Sequence, residues 1–484
     1  MNMSTESFII LIPATALVSS LLIYLFRKEN LIVYLSSIIA SILMFIFVIF
    51  LGKEIYLTGN ISYNFLSISK TINIKFVADK PAILFASIAS FLWIITNFFS
   101  IGYLKGTKDK KVAKFFYFFA LTLFATTALA FSANLITLFF FYELITLFTY
   151  PLVTHKGDTE SIKAGRKYFV YLIGLSLFFF LLAIFLTYSL KHILDFYETG
   201  IFDGSEDKKA LLIILAMFLF GIAKAAVMPA HGWLPTAMVA PTPVSALLHA
   251  VAVVKAGVFS LYRVLNNVFT IDVLSSINGH YLIIIFASIT IIFASIIALR
   301  QDNLKLMLAY STVSQLSYIV LSFGLLNKIS IIGGLTHMLT HAFGKITLFF
   351  CAGAIYVTTH KTKISELDGI GRKMPLTMIA FTIGSLSIIG MPLFAGFISK
   401  FLILKGVYYS NMYFVFVIFG SSTLLNAAYF FPIIYRAFMK VSKQDNEKYK
   451  EAEPFLLYPL LVTAFFTVLL FFLSGFIFKY LGDV

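Results

Sequence analysis

The sequence contains little charge and a single cysteine. Only 12% of its 484 residues are charged, whereas 60% are hydrophobic, and the mean hydropathy is +0.94, far from the balance of a soluble domain. Cys351 alone excludes an internal disulfide framework or a cysteine metal site within this chain. The sequence also lacks a Rossmann glycine motif and iron–sulfur cysteines, so we expect no cofactor, no metal and no intrinsic catalytic site. The composition indicates an integral membrane protein.

Long apolar runs recur along the whole chain, each near the roughly 20 residues that a helix needs to cross a bilayer. The short alternating segments of a membrane β-barrel are missing, so the predicted fold class is an all-α integral membrane bundle. The sequence predicts about fourteen transmembrane helices. They lie near residues 6–26, 30–51, 81–103, 114–131, 133–153, 168–190, 210–228, 242–263, 280–299, 304–326, 329–357, 375–391 continuing into 394–405, 411–437 and 454–480.

Basic residues outnumber acidic ones, 37 to 22, but they are concentrated in alternate connections rather than on one face. This distribution argues against a nucleic-acid partner and fits the positive-inside rule. The loops that contain Arg27, residues 105–114, residues 155–167 and residues 361–373 are then cytoplasmic. We therefore expect a multi-pass protein of the bacterial plasma (inner) membrane with both termini outside.

One acidic residue, Glu143, lies in the middle of a predicted span, in "LITLFFFYELITLFTYPLV". Lysines also lie inside spans or at their breaks, namely Lys224, Lys255, Lys345 and Lys400. A charge at the bilayer centre costs about 2.5 to 3.5 kcal/mol and usually faces a cavity or a partner. Glu143 either forms a structural ion pair or serves as a functional ionisable group. The second is favoured, because a buried ion pair stabilises a fold poorly compared with apolar packing.

Two of the lysines stand next to interruptions of a helix. "GIAKAAVMPAHGWLP" places Pro229 shortly after Lys224, and "SIIGMPLFAGFISKF" places Pro392 shortly before Lys400. Proline breaks a helix, and broken helices at membrane depth occur where they line protein or water. Paired interruptions predict an internal repeat with an ion path at mid-membrane. Trp233 is interpreted as an interfacial anchor.

A polar stripe is predicted in "THMLTHAFGKITLFF", where His337, His341 and Lys345 recur every four residues on one helix face. Imidazoles suit a relay between water and lysine, since their ordinary pKa is near 6.5. The stripe is interpreted as a proton wire, with haem or metal ligation and packing histidines as alternatives. His249 and Lys255 lie about 120° apart on the eighth helix and line a path rather than touch.

Lys305 begins the tenth predicted span, after Asp302. Its side chain either snorkels to the interface or takes part in the function.

Three segments carry a resemblance to a known family. "HGWLPTAMVAPTPVSALLHAVAVVKAGVF" (His231 to Phe259), "KLMLAYSTVSQLSYI" (Lys305 to Ile319) and "THMLTHAFGKITLFF" resemble the signature segments of the proton-conducting antiporter-like membrane subunits. That family includes membrane subunits of NADH-quinone oxidoreductase, hydrogenase subunits and subunits of the Mrp-type sodium/proton antiporter. The resemblance covers nearly the whole chain.

The resemblance implies a fourteen-helix bundle with two inverted five-helix repeats and broken helices seven and twelve. It divides the chain into three N-terminal helices at 1–110, repeats at 111–265 and 277–440, and a last helix at 453–481. The resemblance implies that Glu143, Lys224, Lys255, His337, His341, Lys345 and Lys400 translocate protons. His249 and Lys305 are added as candidates from their positions in the sequence.

The parent complex is left open at this point. Because the chain ends soon after the last span, we expect no lateral helix, which favours a D-type Mrp subunit or a shorter oxidoreductase or hydrogenase subunit. Lys400 argues against the oxidoreductase subunit that has an acid there, whereas "APTPVSALLHA" is closer to the lateral-helix subunit.

The leading hypothesis is a proton-translocating subunit of a monovalent cation (Na+)/proton antiporter, with other membrane subunits as partners. A redox-driven proton pump subunit and an inactive scaffold are the alternatives.

Overall fold

The structure is a computed structural model that describes residues 5–67, 73–247, 251–441 and 450–482. Helices account for most of these residues. The first half contains α1 Thr5–Leu25, α2 Asn30–Thr58, α3 Lys80–Gly106, α4 Val112–Ala130, α5 Leu135–Val153, α6 Thr159–Leu175, α7 Leu182–Lys191, α8 Lys208–Gly221, α9 Trp233–Thr236, α10 Thr242–Ala246 and α11 Val253–Val264. The second half contains α12 Thr270–Ser276, α13 Gly279–Leu299, α14 Leu304–Gly324, α15 Lys328–Thr359, α16 Ile370–Lys373, α17 Pro375–Ile389, α18 Ala395–Tyr409, α19 Phe414–Met439, α20 Pro454–Phe472 and α21 Ser474–Leu481.

Polar residues mark the points at which the long helices begin. Asp79, Asn134, Asp158, Asn303 and Asn327 precede α3, α5, α6, α14 and α15, and each side chain accepts a hydrogen bond from a backbone N–H of the first turn. These caps satisfy donors that a helix cannot pair internally. The apolar runs between the caps are long enough to cross the hydrocarbon region, so the sequence sets both the type and the start of these elements.

Within the described ranges, eleven helical segments are long and apolar enough to cross a membrane. The all-α integral membrane prediction is confirmed. The segments predicted as the seventh, eighth and twelfth crossings fall outside these eleven, because the seventh and twelfth are interrupted and the eighth contains residues outside the described ranges. The count of fourteen therefore stays a prediction. The largest error in a predicted boundary is about two and a half turns, at the start of the sixth span. There α6 and α7 form one apolar helix over Thr159–Lys191 with a π turn at Ser176–Leu181.

The eighth span was predicted over 242–263. Its described residues form α10 and α11, and residues 248–250 between them lie outside the described residues. The N–H of Ala252 donates to the carbonyl of Leu247 (2.9 Å), five residues earlier, which is the bond of a π turn and not of a regular α-helix. Helix α11 lies against the broken seventh helix.

A two-stranded antiparallel hairpin, β1 Ile61–Ser67 and β2 Asn73–Ala78, joins α2 to α3 and was not predicted. Its strands alternate only partly between buried and exposed residues, so the hydrophobic period that identifies a strand is weak here. The backbone of β2 contacts the loop before α5, where Val77 donates to the carbonyl of Phe131 (2.6 Å). The hairpin thereby covers one end of the bundle.

Helices α14 and α15 form the centre of the bundle. In the most apolar 18-residue stretches of α14 and α15, 89% and 94% of the residues are buried. In the corresponding stretches of α2, α19 and α20, the buried share is 33%. The peripheral helices instead expose large apolar side chains, as expected where lipid surrounds a protein. Polar residues on α14 and α15 are therefore enclosed by protein.

Candidate functional site

The break in the seventh helix contains Lys224. Helix α8 ends at Gly221, a 3-10 turn follows at Ala223–Ala225, and Ala226 adopts a left-handed conformation (φ 57°). The carbonyl of Ala223 accepts a hydrogen bond from the N–H of Ala226 within this turn (2.9 Å) and a second from Trp233 Nε1 (2.9 Å). Trp233 is fully buried. The interpretation of Trp233 as an interfacial anchor is therefore wrong, because its indole stabilises the broken backbone.

Lys224 is held by Tyr142 on α5. Its Nζ donates to the Tyr142 carbonyl (2.7 Å) and lies 3.2 Å from the centre of the Tyr142 ring, while its backbone N–H donates to the Tyr142 hydroxyl (3.0 Å). A carbonyl dipole and an aromatic face both attract an ammonium group. The completely buried Lys224 side chain thus has partners that stabilise its charge without a direct carboxylate contact.

Glu143 follows Tyr142 in the sequence, and its carboxylate lies near Lys224. Among the described residues, neither Glu143 oxygen has a hydrogen-bond partner, although both are shielded from solvent. The nearby Ser176 hydroxyl donates instead to the carbonyl of Ile173 (3.0 Å). Glu143 and Lys224 attract each other electrostatically but do not form a contact ion pair. An unsatisfied buried carboxylate is costly and calls for water or a proton as partner.

Helix α11 packs directly against the broken turn. A methyl group on Gly257 would collide with the backbone of Lys224 and Ala225, so only glycine permits this approach. Lys255, two residues earlier on α11, is fully buried. The close packing brings the helix of Lys255 next to the turn that contains Lys224.

Lys255 contacts the histidine stripe of α15. Its Nζ lies 2.8 Å from Nδ1 of His341, and the rings of His341 and His337 are 5.9 Å apart between centroids. Nδ1 of His337 lies 2.8 Å from the Ser399 hydroxyl, which also contacts Thr340 (3.0 Å). The structure thus joins one lysine and two histidines to α18 through side chains that can donate and accept protons.

Lys400 lies at the break of the twelfth helix. It ends the row of ionisable side chains that begins at Glu143 and Lys224 and continues through Lys255, His341 and His337. Helix α17 ends at Ile389, and Gly390 follows it in a left-handed conformation (φ 95°). The Lys400 Nζ donates to the last carbonyls of α17, at Ile388 (2.7 Å) and Ile389 (3.1 Å). The carbonyl end of a helix attracts a positive charge. The ring of Tyr318 on α14 lies near both Lys400 and His337. Its centroid is 5.0 Å from Lys400 Nζ and 5.9 Å from the centroid of the His337 ring.

Lys345 extends away from the row. Its Nζ donates to the Ser311 hydroxyl (2.7 Å) and to the carbonyl of Leu308 (3.3 Å) on α14. Ser311 also contacts the Tyr429 hydroxyl (2.8 Å), which donates to Asn426 on α19 (2.5 Å). The predicted stripe therefore divides, with its two histidines facing Lys255 and α18 and its lysine facing α14 and α19.

Lys305 lies apart from both groups, at the end of the bundle that the sequence predicts to be cytoplasmic. Its Nζ donates to the carbonyl of Ala240 (2.6 Å), and it lines a cavity of about 640 Å³. His249 lies outside the described residues. The described part of the chain contains no group of three or more histidine, cysteine or carboxylate side chains placed to hold a metal ion.

Several residues of the site were missed in the sequence. They are Tyr142, Tyr318, Ser399, Ser311 and Tyr429, each of which contacts a buried lysine or histidine or the hydrogen bonds around one. Tyr142 and Ser399 adjoin Glu143 and Lys400, so adjacency to a buried charge was an available signal. Tyrosine and serine are ordinary residues in apolar helices, and only the packing shows which of them contact a lysine.

The chain is similar to proteins of two kinds of membrane complex. A family model described as "NADH:quinone oxidoreductase/Mrp antiporter, TM" matches residues 132–426. NADH-quinone oxidoreductase subunit N of Desulforudis audaxviator is 31% identical over 79% of this chain and 76% of its own length. The putative antiporter subunit mnhA2 of Staphylococcus aureus is 30% identical over 81% of this chain, which spans only 51% of that protein.

Two solved structures share the fold over nearly the whole chain. A chain of the membrane-bound sulfane sulfur reductase, an archaeal respiratory membrane complex, matches with a TM-score of 0.88 and 25% identity over 98% of this chain and 96% of that one. A chain of the Mrp complex from Dietzia matches with a TM-score of 0.88 and 18% identity over 99% and 96%. These relatives are subunits of multisubunit membrane complexes. The chain belongs to the NADH:quinone oxidoreductase/Mrp antiporter transmembrane family.

Proposed function

We propose that this chain moves protons across the membrane along the row from Glu143 and Lys224 through Lys255, His341 and His337 to Lys400. The observation that carries the proposal is the contact between Lys255 and His341, which links the two predicted repeats at a point where both side chains are buried. A lysine and a histidine in hydrogen-bond contact can exchange a proton.

The first step uses the Glu143 carboxylate and the Lys224 ammonium. An approach of Glu143 stabilises the protonated lysine, and a retreat in this enclosed site favours release of the proton. Because Lys224 donates to the Tyr142 carbonyl rather than to Glu143, the carboxylate is free to change its distance without breaking a direct bond. Water must carry the proton from this pair to Lys255.

The second step passes through the histidines. Lys255 gives its proton to Nδ1 of His341, which then releases one from Nε2, so the imidazole is neutral before and after the transfer. His337 and the Ser399 hydroxyl continue the path to α18 and Lys400. Lys345, Ser311 and Tyr429 form a branch. We propose that protons also pass between the row and water along this branch. Lys305 and His249 are proposed to line the access from the basic end of the bundle.

We favour a monovalent cation (Na+)/proton antiporter in the bacterial plasma membrane as the parent complex. A row of lysines repels metal cations and supplies few of the oxygen ligands that they require, so sodium crosses elsewhere, in partner subunits. The alternative is a proton-pumping subunit of an NADH-quinone oxidoreductase or a membrane-bound hydrogenase. The similarity to subunit N and to a respiratory complex supports this second function.

Inverted membrane vesicles test the proposal. We expect Lys224→Ala and Glu143→Gln to abolish proton movement, measured with a pH-sensitive dye, while the complex still co-purifies. Lys405→Ala, on α18 and outside the row, serves as the control. Normal activity in either row variant with confirmed expression would refute the pathway. Sodium-dependent proton uptake without a redox donor supports the antiporter, whereas uptake that requires NADH or another electron donor supports the pump.

A further inference from the structure

Lysine ammonium groups from residues 156–167, from Lys305 and from Lys361 line the cavity next to Lys305. Its charged lining consists of one carboxylate and five lysines, namely Glu160, Lys156, Lys163, Lys167, Lys305 and Lys361. Lys163 and Lys167 lie one turn apart on α6, and Lys305 lies in the first turn of α14. The cavity of about 640 Å³ is therefore strongly positive even when Glu160 is ionised.

The acidic residues of this end of the bundle have other partners. Asp158 caps α6 by accepting from the backbone of Ser161 (2.7 Å), and Asp302 accepts from the backbone and hydroxyl of Ser365 (2.9 and 2.8 Å). Partial burial raises the pKa of Asp302, but the hydrogen bonds from Ser365 and the charges of Lys363 and Arg436 together outweigh it and hold this pKa below its usual value. Both carboxylates are thus engaged with backbone and hydroxyl groups, and neither lines the cavity.

We propose that this cavity binds a phosphate group, supplied by an anionic phospholipid or by free phosphate. The inference goes beyond the proposed function, because the row from Glu143 to Lys400 does not need an anion. Lysines are point-charge partners of phosphate, and basic pockets between transmembrane helices on the cytoplasmic side hold anionic head groups.

The arrangement of α6 provides a matched control within one helix turn. Lys163, Arg166 and Lys167 are all exposed, but only Lys163 and Lys167 line the cavity. Lys163→Gln with Lys167→Gln removes two positive charges from the cavity. Arg166→Gln removes one from the same helix outside it, and Lys163→Arg with Lys167→Arg keeps the charge.

The experiment uses the full chain in nanodiscs and has two arms. Native mass spectrometry counts the phosphatidylglycerol retained from discs that contain it beside phosphatidylcholine, and calorimetry measures inorganic phosphate binding in discs of phosphatidylcholine alone. We expect the double glutamine variant to weaken binding about tenfold in one of the arms, which identifies the source. The arginine pair and Arg166→Gln should bind as the unmodified protein does, with unchanged melting temperatures in all variants.

The outcomes decide between the possibilities. Loss confined to phosphatidylglycerol supports a lipid head group, and loss of inorganic phosphate binding supports a free anion. Equal binding by the double glutamine variant and Arg166→Gln in both arms overturns the proposal. Because the readout is binding, this result is independent of whether the row from Glu143 to Lys400 carries protons.

Discussion

Lys255 on α11 and His341 on α15 lie 2.8 Å apart between Nζ and Nδ1, deep in the bundle. The two residues belong to different predicted repeats, 86 positions apart in the sequence. Helix α11 also contacts the turn of Lys224 through Gly257. Lys255 therefore occupies the position at which a charge from the first half can reach the second.

The first prediction concerns this contact. His341→Gln keeps a polar side chain of similar length but removes the group that can accept a proton at one nitrogen and release it at the other. We expect proton movement in inverted vesicles to fall at least about 100-fold, since proton transfer by a positioned group contributes about 10² to 10⁴. Co-purification of the complex should be unaffected.

His280 on α13 provides the control for this experiment. It is also buried, but its ring contacts the carbonyl of Leu274 (3.4 Å) outside the row. We expect His280→Gln to retain most of the transport rate. Equal losses in His280→Gln and His341→Gln would mean that buried histidines matter for packing and not for transfer.

The second prediction separates the two functions of Tyr142. Tyr142→Phe keeps the ring and the carbonyl that hold the Lys224 ammonium and removes only the hydroxyl that accepts from the Lys224 backbone. The loss of one hydrogen bond of about 1 kcal/mol should reduce transport no more than about fivefold. Tyr142→Leu also removes the aromatic face, which is worth about 2 kcal/mol to a desolvated cation, and should reduce it further. Identical rates in the two variants would contradict a role for the ring.

The sequence predicted the fold class and the principal charged residues because both depend on local chemistry. In lipid, an apolar run of about 20 residues can form little other than a helix. A lysine or glutamate inside such a run costs free energy unless it faces a partner or a cavity, so it indicates a functional residue. Glu143, Lys224 and Lys400 were found on these grounds. The breaks in the seventh and twelfth helices were found from Pro229 and Pro392.

What could not be predicted depends on packing between distant segments. The bend at Ala252, just before α11, has no proline to mark it, and the hairpin of β1 and β2 has little alternation of burial. Lys345 follows the spacing of His337 and His341, but its long side chain reaches α14 instead of the row. Periodicity on one helix identifies a face and does not specify which neighbour each side chain contacts.

The third prediction tests the close approach of backbone at the two breaks. A methyl group at Gly257 would collide with the backbone of Lys224, and one at Gly396 would collide with the carbonyl of Ser387. Gly257→Ala and Gly396→Ala should each destabilise the protein by about 1 to 3 kcal/mol through overpacking, measured as a lower melting temperature in detergent. Gly174→Ala on α6, where nothing lies within 4 Å, should leave it unchanged or slightly higher. A melting temperature unaffected at Gly257 would show that α11 does not pack on this turn.

The fourth prediction concerns the branch at Lys345. Tyr429→Phe removes the hydroxyl that links Ser311 to Asn426, while Ser311 still accepts from Lys345. If the branch exchanges protons with the row, transport should fall about tenfold, with a loss of stability of about 1 kcal/mol from the missing hydrogen bonds. Tyr435→Phe on the exposed side of α19 is the control. An unchanged transport rate in Tyr429→Phe would exclude the branch from the pathway.

The fifth prediction uses His155, which lies in the loop between α5 and α6 outside the spans. Its ring is buried and Nε2 lies 3.0 Å from the Asp109 carboxylate. Burial lowers the pKa of His155, the Asp109 carboxylate opposes this shift, and Lys114 and Lys111 add to it. In the unfolded chain, His155 therefore takes up a proton near its ordinary pKa of about 6.5, whereas in the folded protein it does so only at lower pH. The contribution of His155 to stability is complete above the pKa of the unfolded chain and is lost as the pH falls from there through the lower pKa of the folded protein.

Melting temperatures between pH 7.5 and 5.5 measure this effect. His155→Gln removes the titrating ring, so its melting temperature should fall less steeply over this range than that of the unmodified protein. At pH 7.5 the variant should be less stable, because the contact with Asp109 is weakened. His192→Asn, at an exposed left-handed position after α7, is the control for the loss of a histidine outside this contact. Parallel slopes for His155→Gln and the unmodified protein would mean that His155 takes up its proton equally well in the folded and unfolded chain.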